Sequence, residues 1–113
     1  MIAVIFEAWP KEGQQNEYFD LATQLKSSLI QIEGFDSVER FQSIANPGKL
    51  LSLSFWKDEK SIAQWRNVQL HRQAQSEGRD FIFADYRLRV ANVVRDYGIN
   101  NRKEAPADSK LIH

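Results

Sequence analysis

The chain has 113 residues, which is enough for one domain with a single hydrophobic core. Its 15 basic and 15 acidic side chains cancel, so no net charge attracts it to nucleic acid or to an anionic membrane surface. Cysteine is absent, which excludes disulfides, thiolate metal sites and a cysteine nucleophile. No apolar run reaches the roughly 20 residues of a membrane helix, and the apolar N-terminus lacks a basic segment, so we expect a cytoplasmic protein.

The first predicted strand, residues 2–9, is apolar on both of its faces. The residues of the two faces are, in turn, Ile2, Val4, Phe6 and Ala8, and Ala3, Ile5, Glu7 and Trp9. A strand with one face in water alternates apolar and polar side chains, so both faces of this strand are expected to be covered. Helices of the same chain can cover one face. A second copy of the sheet is the expected cover for the other, which predicts a homodimer.

A long amphipathic helix is predicted from about Gln14 to Glu33. Its apolar side chains recur at helical spacing and form one stripe, made of Tyr18, Leu21, Ala22, Leu25, Leu29 and Ile32. Gly34 follows at the position where helices commonly end in a left-handed residue.

Two strands and a short helix are predicted in the middle of the chain. The strands cover residues 35–42 and 50–56, and the turn sequence NPG at 46–48 predicts that they form a hairpin. Asp58 is a candidate N-cap for a helix over residues 59–66.

The last elements complete a domain predicted over residues 1–98. They are a second helical piece over 68–77 and a long strand within 81–96. The polar composition from residue 99 onward predicts a flexible tail over 99–113. The order strand, helix, strand, strand, helix, strand predicts an α+β fold. It has the ferredoxin-like βαββαβ topology, with an antiparallel four-stranded sheet and both helices on one face.

This order, together with four local motifs, resembles the antibiotic biosynthesis monooxygenase (ABM) group of the dimeric α+β barrel superfamily. The motifs are EGF at 33–35, SFW at 54–56, Trp65 with His71 six positions later, and ADYRLRV at 84–90. The resemblance spans residues 2–97. It implies a homodimer of ferredoxin-like subunits that meet through their sheet faces in a dimeric α+β barrel, and a pocket between the helices and the sheet of each subunit.

The resemblance also implies an activity. Characterised members of the group oxidise polycyclic aromatic compounds with molecular oxygen and without flavin, heme or metal. We therefore expect a monooxygenase with no cofactor and no metal site, acting on a planar quinol-like or anthrone-like molecule. The alternative is a stress-response or binding dimer that holds a small hydrophobic or aromatic ligand without turnover. Neither nucleic acid nor a membrane is an expected partner.

Three residues are candidates for catalysis. Histidine titrates near neutrality, so His71 is a candidate base, while Trp65 would stack on a planar substrate and Glu7 would tune the site. Each has a structural alternative: His71 on a helix surface, Trp65 in the core, and Glu7 in an ion pair with Arg87 or Arg89. Positions six apart on one continuous helix differ by about 120°, so His71 and Trp65 share a pocket only if the helix bends.

Candidate substrate contacts are Phe55, Tyr86 and Asn92. Phe55 is a stronger candidate for the core or the dimer interface than for a substrate contact, and Tyr86 fits either role.

Heme degradation, the activity of a related branch, is a further alternative. That branch has an Asn where Glu7 stands and an iron-ligating His where Gln75 stands, so both positions argue against heme here.

Overall fold

The computed structural model describes residues 1–68, 76 and 81–109, and these ranges contain four strands and two helices. In chain order the elements are β1 (Ile2–Pro10), α1 (Gln15–Leu29), β2 (Phe35–Gln42), β3 (Leu50–Trp56), α2 (Glu59–Arg66) and β4 (Phe83–Asn92). The strands form one antiparallel sheet in the order β2-β3-β1-β4. This arrangement confirms the predicted α+β class and the ferredoxin-like βαββαβ topology.

The register of the strands sorts their side chains onto two faces. One face, which we call the helix-facing face, carries Ile2, Val4 and Phe6 of β1, and these pack against clusters that include helix residues. The other, which we call the opposite face, carries Ala3, Ile5, Glu7 and Trp9 of β1 and, level with them on β3, Leu51, Leu53 and Phe55. Side chains alternate along a strand, so each strand contributes to both faces.

The first helix ends earlier than predicted. It stops at Leu29 rather than near Glu33, and the N–H groups of Gln31 and Ile32 then donate to carbonyls only three residues earlier. Gly34 follows with φ of 93°, in the left-handed region where glycine is favoured. Tight turns therefore replace the last predicted helical turn, because the chain must reverse direction to enter β2.

The last strand is also shorter than its apolar run. It ends at Asn92, which pairs with Ile2, and the next N–H, that of Val93, donates to the Met1 carbonyl at 3.0 Å. The strand thus ends where its partner strand ends. The helical piece predicted over 68–77 lies largely outside the described residues.

Between β4 and residue 109 the chain forms a series of turns around Arg102. Its guanidinium donates to the carbonyls of Gly98 at 3.1 Å and Ser109 at 2.8 Å, and it lies 5.5 Å from the ring centroid of Tyr97. Ala105, within these turns, is buried. The division of the chain at residue 98 stays a prediction.

The start of α2 is fixed by the Asp58 cap and by a backbone hydrogen bond to the turn before β2. The Asp58 carboxylate accepts hydrogen bonds from the backbone N–H of Ser61 at 2.9 Å and from its hydroxyl at 2.8 Å, which confirms the predicted N-cap. The Gly34 carbonyl accepts a bond from the Lys57 N–H at 2.7 Å, so the turn before β2 lies against the turn before α2. A Cβ on Gly34 would overlap the Ser61 hydroxyl and lie 2.9 Å from its Cβ.

Two clusters of buried side chains hold the helices to the sheet. One joins Tyr18 of α1 to Leu50 of β3 and to Ile82, just before β4. The other joins Leu29 of α1, Trp56 of β3 and Trp65 of α2. No helix in the described part of the chain is long and apolar enough to cross a membrane.

Candidate functional site

A cavity of about 370 Å³ lies between the helix-facing face of the sheet and the two helices. Its floor consists of two rows of side chains, each crossing the sheet from β2 through β3 and β1 to β4. The rows, in that order, are Val38, Ser54, Val4 and Val90, and Arg40, Ser52, Phe6 and Leu88. Because these residues are level with one another in the antiparallel ladders, each row is a continuous surface.

The helices supply the apolar roof of the cavity. The α1 residues on it are those of the predicted apolar stripe, namely Tyr18, Leu21, Ala22, Leu25 and Leu29. The α2 residues that line the cavity are Ile62, Trp65 and Arg66, and Arg66 is the last residue of the helix. The roof does not extend fully over β4, where Leu88 is 52% and Val90 44% exposed.

One end of the cavity is formed by the two tryptophans. Trp56 is 2% exposed, and its indole N–H donates to the Ser54 hydroxyl at 2.9 Å. The ring of Phe35 meets Trp56 edge-on, with centroids 5.2 Å apart. Trp65 packs in the same cluster and faces the cavity. Burial of the Trp56 indole is thus compatible with its polar N–H, because the hydroxyl satisfies it.

Aromatic rings also line the region near the start of β4. Phe83 lies 5.6 Å from Phe6, 5.5 Å from Tyr18 and 5.9 Å from Tyr86, measured between ring centroids. The edge-on and tilted geometries are those that aromatic pairs prefer. The cavity therefore has aromatic surfaces at both ends and aliphatic ones between them.

The structure brings together only some of the residues predicted for the site. Trp65 and Tyr86 both line the cavity. Asn92 lies at the end of β4, exposed and beyond the lining residues, although it projects to the same face as Val90. His71 lies outside the described residues.

Glu7 and Phe55 project to the opposite face of the sheet and do not line the cavity. Their parity along the strands places them there, since the neighbours Phe6 and Trp56 face the helices.

On that opposite face Glu7 is the centre of an ion-pair network. Its carboxylate, whose side chain is 18% exposed, accepts from the Arg89 guanidinium of β4 and forms a salt bridge with the Lys49 ammonium. Lys49 also lies 5.1 Å from the ring centroid of Trp9. Hydrogen bonding from Lys49, and then from Arg89, holds the pKa of the Glu7 carboxyl below its usual range. The ion pair with Arg89 is one of the two alternatives considered from the sequence.

Four polar residues of the cavity were not candidates from the sequence, namely Arg40, Ser52, Ser54 and Arg66. All line the cavity, and Arg40 lies directly across the β2–β3 ladder from Ser52. The sequence signal that could have found Arg40 is its parity with Val38 on a predicted strand.

Among the described residues, no group of three or more His, Cys, Asp or Glu side chains could hold a metal ion.

These features define the class of protein, a ferredoxin-like domain with an aromatic-lined cavity between its helices and its sheet. The sequence profile of the antibiotic biosynthesis monooxygenase family matches residues 1–77. The chain therefore belongs to this family, as the local motifs indicated.

Individual relatives agree with the family assignment. The chain is 44% identical over 103 residues to a protein named jasmonate monooxygenase ABM from Pyricularia oryzae, over 91% of this chain and 48% of that protein. It thus spans about half the length of that relative. It is 30% identical over 93 residues to the uncharacterized protein YqjZ of Bacillus subtilis, over 82% of this chain and 79% of that one.

Among solved structures, a candidate antibiotic biosynthesis monooxygenase from Deinococcus radiodurans superposes with a TM-score of 0.77 at 12% identity. The match covers 88% of this chain and 98% of that chain, and it shows that the two share the fold.

Proposed function

We propose that the cavity is the active site of a cofactor-independent monooxygenase that oxidises a small, largely apolar molecule with molecular oxygen. The observation that carries this proposal is an aromatic-lined cavity of about 370 Å³ in a chain of the ABM family. Small-molecule sites in proteins typically measure about 300–1,000 Å³ and have mostly apolar walls with a few polar groups, and this cavity fits that description.

A planar quinol-like or anthrone-like compound is the proposed substrate class. The aromatic surfaces at the two ends of the cavity, with Trp65 at one and Tyr86 at the other, support it because flat rings stack on them favourably. Jasmonate is a second candidate, favoured by the name of the Pyricularia oryzae relative.

The proposed reaction uses no external reductant, so the substrate itself must supply the electrons that reduce oxygen. A base removes a proton from the substrate, and the resulting electron-rich anion passes electrons to oxygen in a site shielded from water. For an anthrone-like methylene group, one oxygen atom becomes the product carbonyl and the other leaves as water, so the substrate supplies all the electrons. His71 is the proposed base on the strength of the family resemblance, and Trp65 is proposed to hold the substrate plane.

The test is oxygen uptake by the purified protein with anthrone, a panel of quinols, and jasmonate. Replacing His71 with Ala should lower turnover roughly a hundredfold or more, the usual contribution of a general base. Trp65→Phe should lower it less, because a smaller ring still stacks. Unchanged turnover in both variants would contradict the residue assignment, and ligand binding without oxygen uptake would favour the non-catalytic dimer.

A cavity-filling variant tests the location independently of the base. Ala22 is buried in the roof, so Ala22→Phe places a ring in the cavity, whereas Gln24→Phe places the same ring on the exposed side of α1. Turnover should fall in the first variant and persist in the second. Equal activity in the two variants would place the reaction elsewhere.

The same proposal includes a homodimer in which a second copy covers the opposite face of the sheet. Support comes from the apolar side chains on that face, which carry no covering helix among the described elements, namely Ala3, Ile5, Leu51, Leu53 and Phe55. In this arrangement Glu7 and Phe55 belong to the interface rather than to the substrate site. Sedimentation should give twice the monomer mass, and a stable monomer at micromolar concentration would contradict it.

A further inference from the structure

We propose that the cavity selects an amphipathic organic anion, with its carboxylate held by Arg40, Ser52 and Arg66 and its apolar body lying across the sheet toward β4. This inference rests on the proposed function, because it names the kind of substrate that the same cavity takes. It goes further by assigning to that cavity a polar side at β2 and an apolar side at β4.

The polarity of the floor supplies the first argument. In the row that crosses the sheet, Arg40 on β2 is level with Ser52 on β3, then with Phe6 on β1 and Leu88 on β4. Directly opposed side chains have Cβ atoms about 5 Å apart, so Arg40 and Ser52 are neighbours on the cavity floor. Adjacent strands are about 4.8 Å apart, so the row spans roughly 14 Å from its charged end to its apolar end.

The charge of the lining supplies the second argument. Arg40 and Arg66 both line the cavity, and no carboxylate does so among the residues that the structure describes. Within that part of the chain neither arginine makes an ion pair, and Ser52 makes no side-chain hydrogen bond. The cavity therefore presents two positive charges and a hydroxyl that no described side chain satisfies.

The chemistry of these groups favours a carboxylate. A guanidinium is planar and donates two parallel hydrogen bonds that match the two carboxylate oxygens, and bonds between charged partners are about twice as strong as neutral ones. The rest of the cavity is apolar, which suits a hydrocarbon or ring system and excludes a ligand that is charged throughout. In the alternative, the arginines are solvated at the rim and only their aliphatic stems cover the apolar surface.

Tryptophan fluorescence provides the experiment, because Trp56 and Trp65 both line the cavity. The probes are decanoate and decanamide, which share a chain and differ in the charge of the head group. The wild-type protein should bind decanoate at least about tenfold more tightly. Arg40→Gln and Arg66→Gln should each weaken decanoate binding about tenfold and leave decanamide binding within about twofold.

Two controls make the outcome specific. Arg95→Gln removes an exposed arginine outside the cavity and should change neither affinity. Arg40→Lys keeps the charge but not the planar fork, so its affinity for decanoate should fall between those of wild type and Arg40→Gln. Equal affinity of the wild type for the two probes, or no effect of either Arg→Gln change, would overturn the inference in favour of the solvated rim.

The Ala22→Phe variant separates this inference from the proposed function. Loss of both probes in Ala22→Phe, with no preference for charge in the wild type, would remove only the anion assignment and keep the cavity as the ligand site. Retention of both probes in Ala22→Phe would instead contradict the cavity itself, and with it both proposals. Circular dichroism of every variant checks that the fold is kept.

Discussion

Both faces of the sheet carry apolar side chains, but the two faces differ in how their charged side chains are paired. On the helix-facing side the charge is carried by Arg40 on the edge strand β2 and by Arg66 at the end of α2, and both line the cavity without an ion pair among the described residues. On the opposite face the inner strand β1 carries Glu7, which is bonded from both sides by Lys49 and Arg89. Within the described residues the two arginines of the cavity are not ion-paired, whereas the Glu7 carboxylate is paired with two cations.

This difference separates a surface suited to a ligand from a surface suited to a partner chain. A charge without a protein partner at the rim of an apolar cavity can bind a counter-charge that arrives with a small molecule. A carboxylate already paired with two cations can be covered by another apolar face without leaving a buried charge unsatisfied. Substitutions on the two faces test whether they differ in this way.

The largest expected effect comes from neighbouring aromatic residues on β3 that point to different faces. Trp56→Ala should lower the free energy of unfolding by about 3–5 kcal/mol, because it empties the centre of a buried cluster. Phe55→Ala should cost only about 1–2 kcal/mol in the monomer, since that ring is half-buried. Urea unfolding followed by circular dichroism measures both changes.

Protein concentration sharpens this first comparison. If a second chain covers the opposite face, the cost of Phe55→Ala should grow as protein concentration rises, while that of Trp56→Ala should change less. Equal costs for the two substitutions at every concentration would show that the faces are equivalent in packing.

The next effect concerns the turn that positions α2 over the cavity. Gly34→Ala should destabilise the protein by about 2–4 kcal/mol, from the strain of a positive φ together with the clash on Ser61. Gly13→Ala is the matched control, because Gly13 has a similar φ of 82° but an added Cβ would meet nothing within 4 Å. Gly13→Ala should therefore cost only the strain, and equal losses in thermal unfolding would exclude a steric role for Ser61.

A smaller effect is expected inside the cavity floor. Ser54→Ala leaves the buried indole N–H of Trp56 without its acceptor, which should cost about 1–3 kcal/mol. Ser52→Ala, two residues away on the same face, removes a hydroxyl that makes no hydrogen bond within the described residues and should change stability by less than about 0.5 kcal/mol. The reverse ranking in urea unfolding would contradict the assignment of Ser54 as the structural hydroxyl and Ser52 as the ligand-facing one.

Much of the fold could be predicted from the sequence because its signals are local. The turn at 46–48 predicts where β2 ends and β3 begins, and the cap at Asp58 predicts where α2 begins. The structure has these limits at Gln42, Leu50 and Glu59, as predicted. The ends of α1 and β4 could not be predicted in the same way. They depend on where the chain must reverse at Gly34 and on where β1 stops offering a partner to β4.

The site was harder to predict because both faces of β1 are apolar. Parity shows that Phe6 and Glu7 lie on different faces, but it does not show which face the helices choose. Trp65 could be placed, since it lies on the inner side of a helix that must pack on the sheet. The pairing of Arg40 with Ser52 requires the hairpin register, and the irregular connection between β2 and β3 does not specify it.

The smallest expected effect belongs to the ion pairs of the opposite face and depends on pH. The folded-state pKa of Glu7 is lowered, so the ionised carboxylate contributes stability that is fully present above the ordinary value of 4.5 and is lost as the pH falls through the folded value. Glu7→Gln should therefore destabilise the protein at pH 7, and the difference from wild type should shrink below about pH 4.5. The difference at pH 7 should be modest and should fall with added salt, because the Arg89 side chain is half exposed.

Glu39→Gln is the control, since that exposed carboxylate lies on the same face and makes no ion pair within the described ranges. A Glu7→Gln difference that persists unchanged at pH 3, measured by urea unfolding, would show that Glu7 acts through packing rather than through charge.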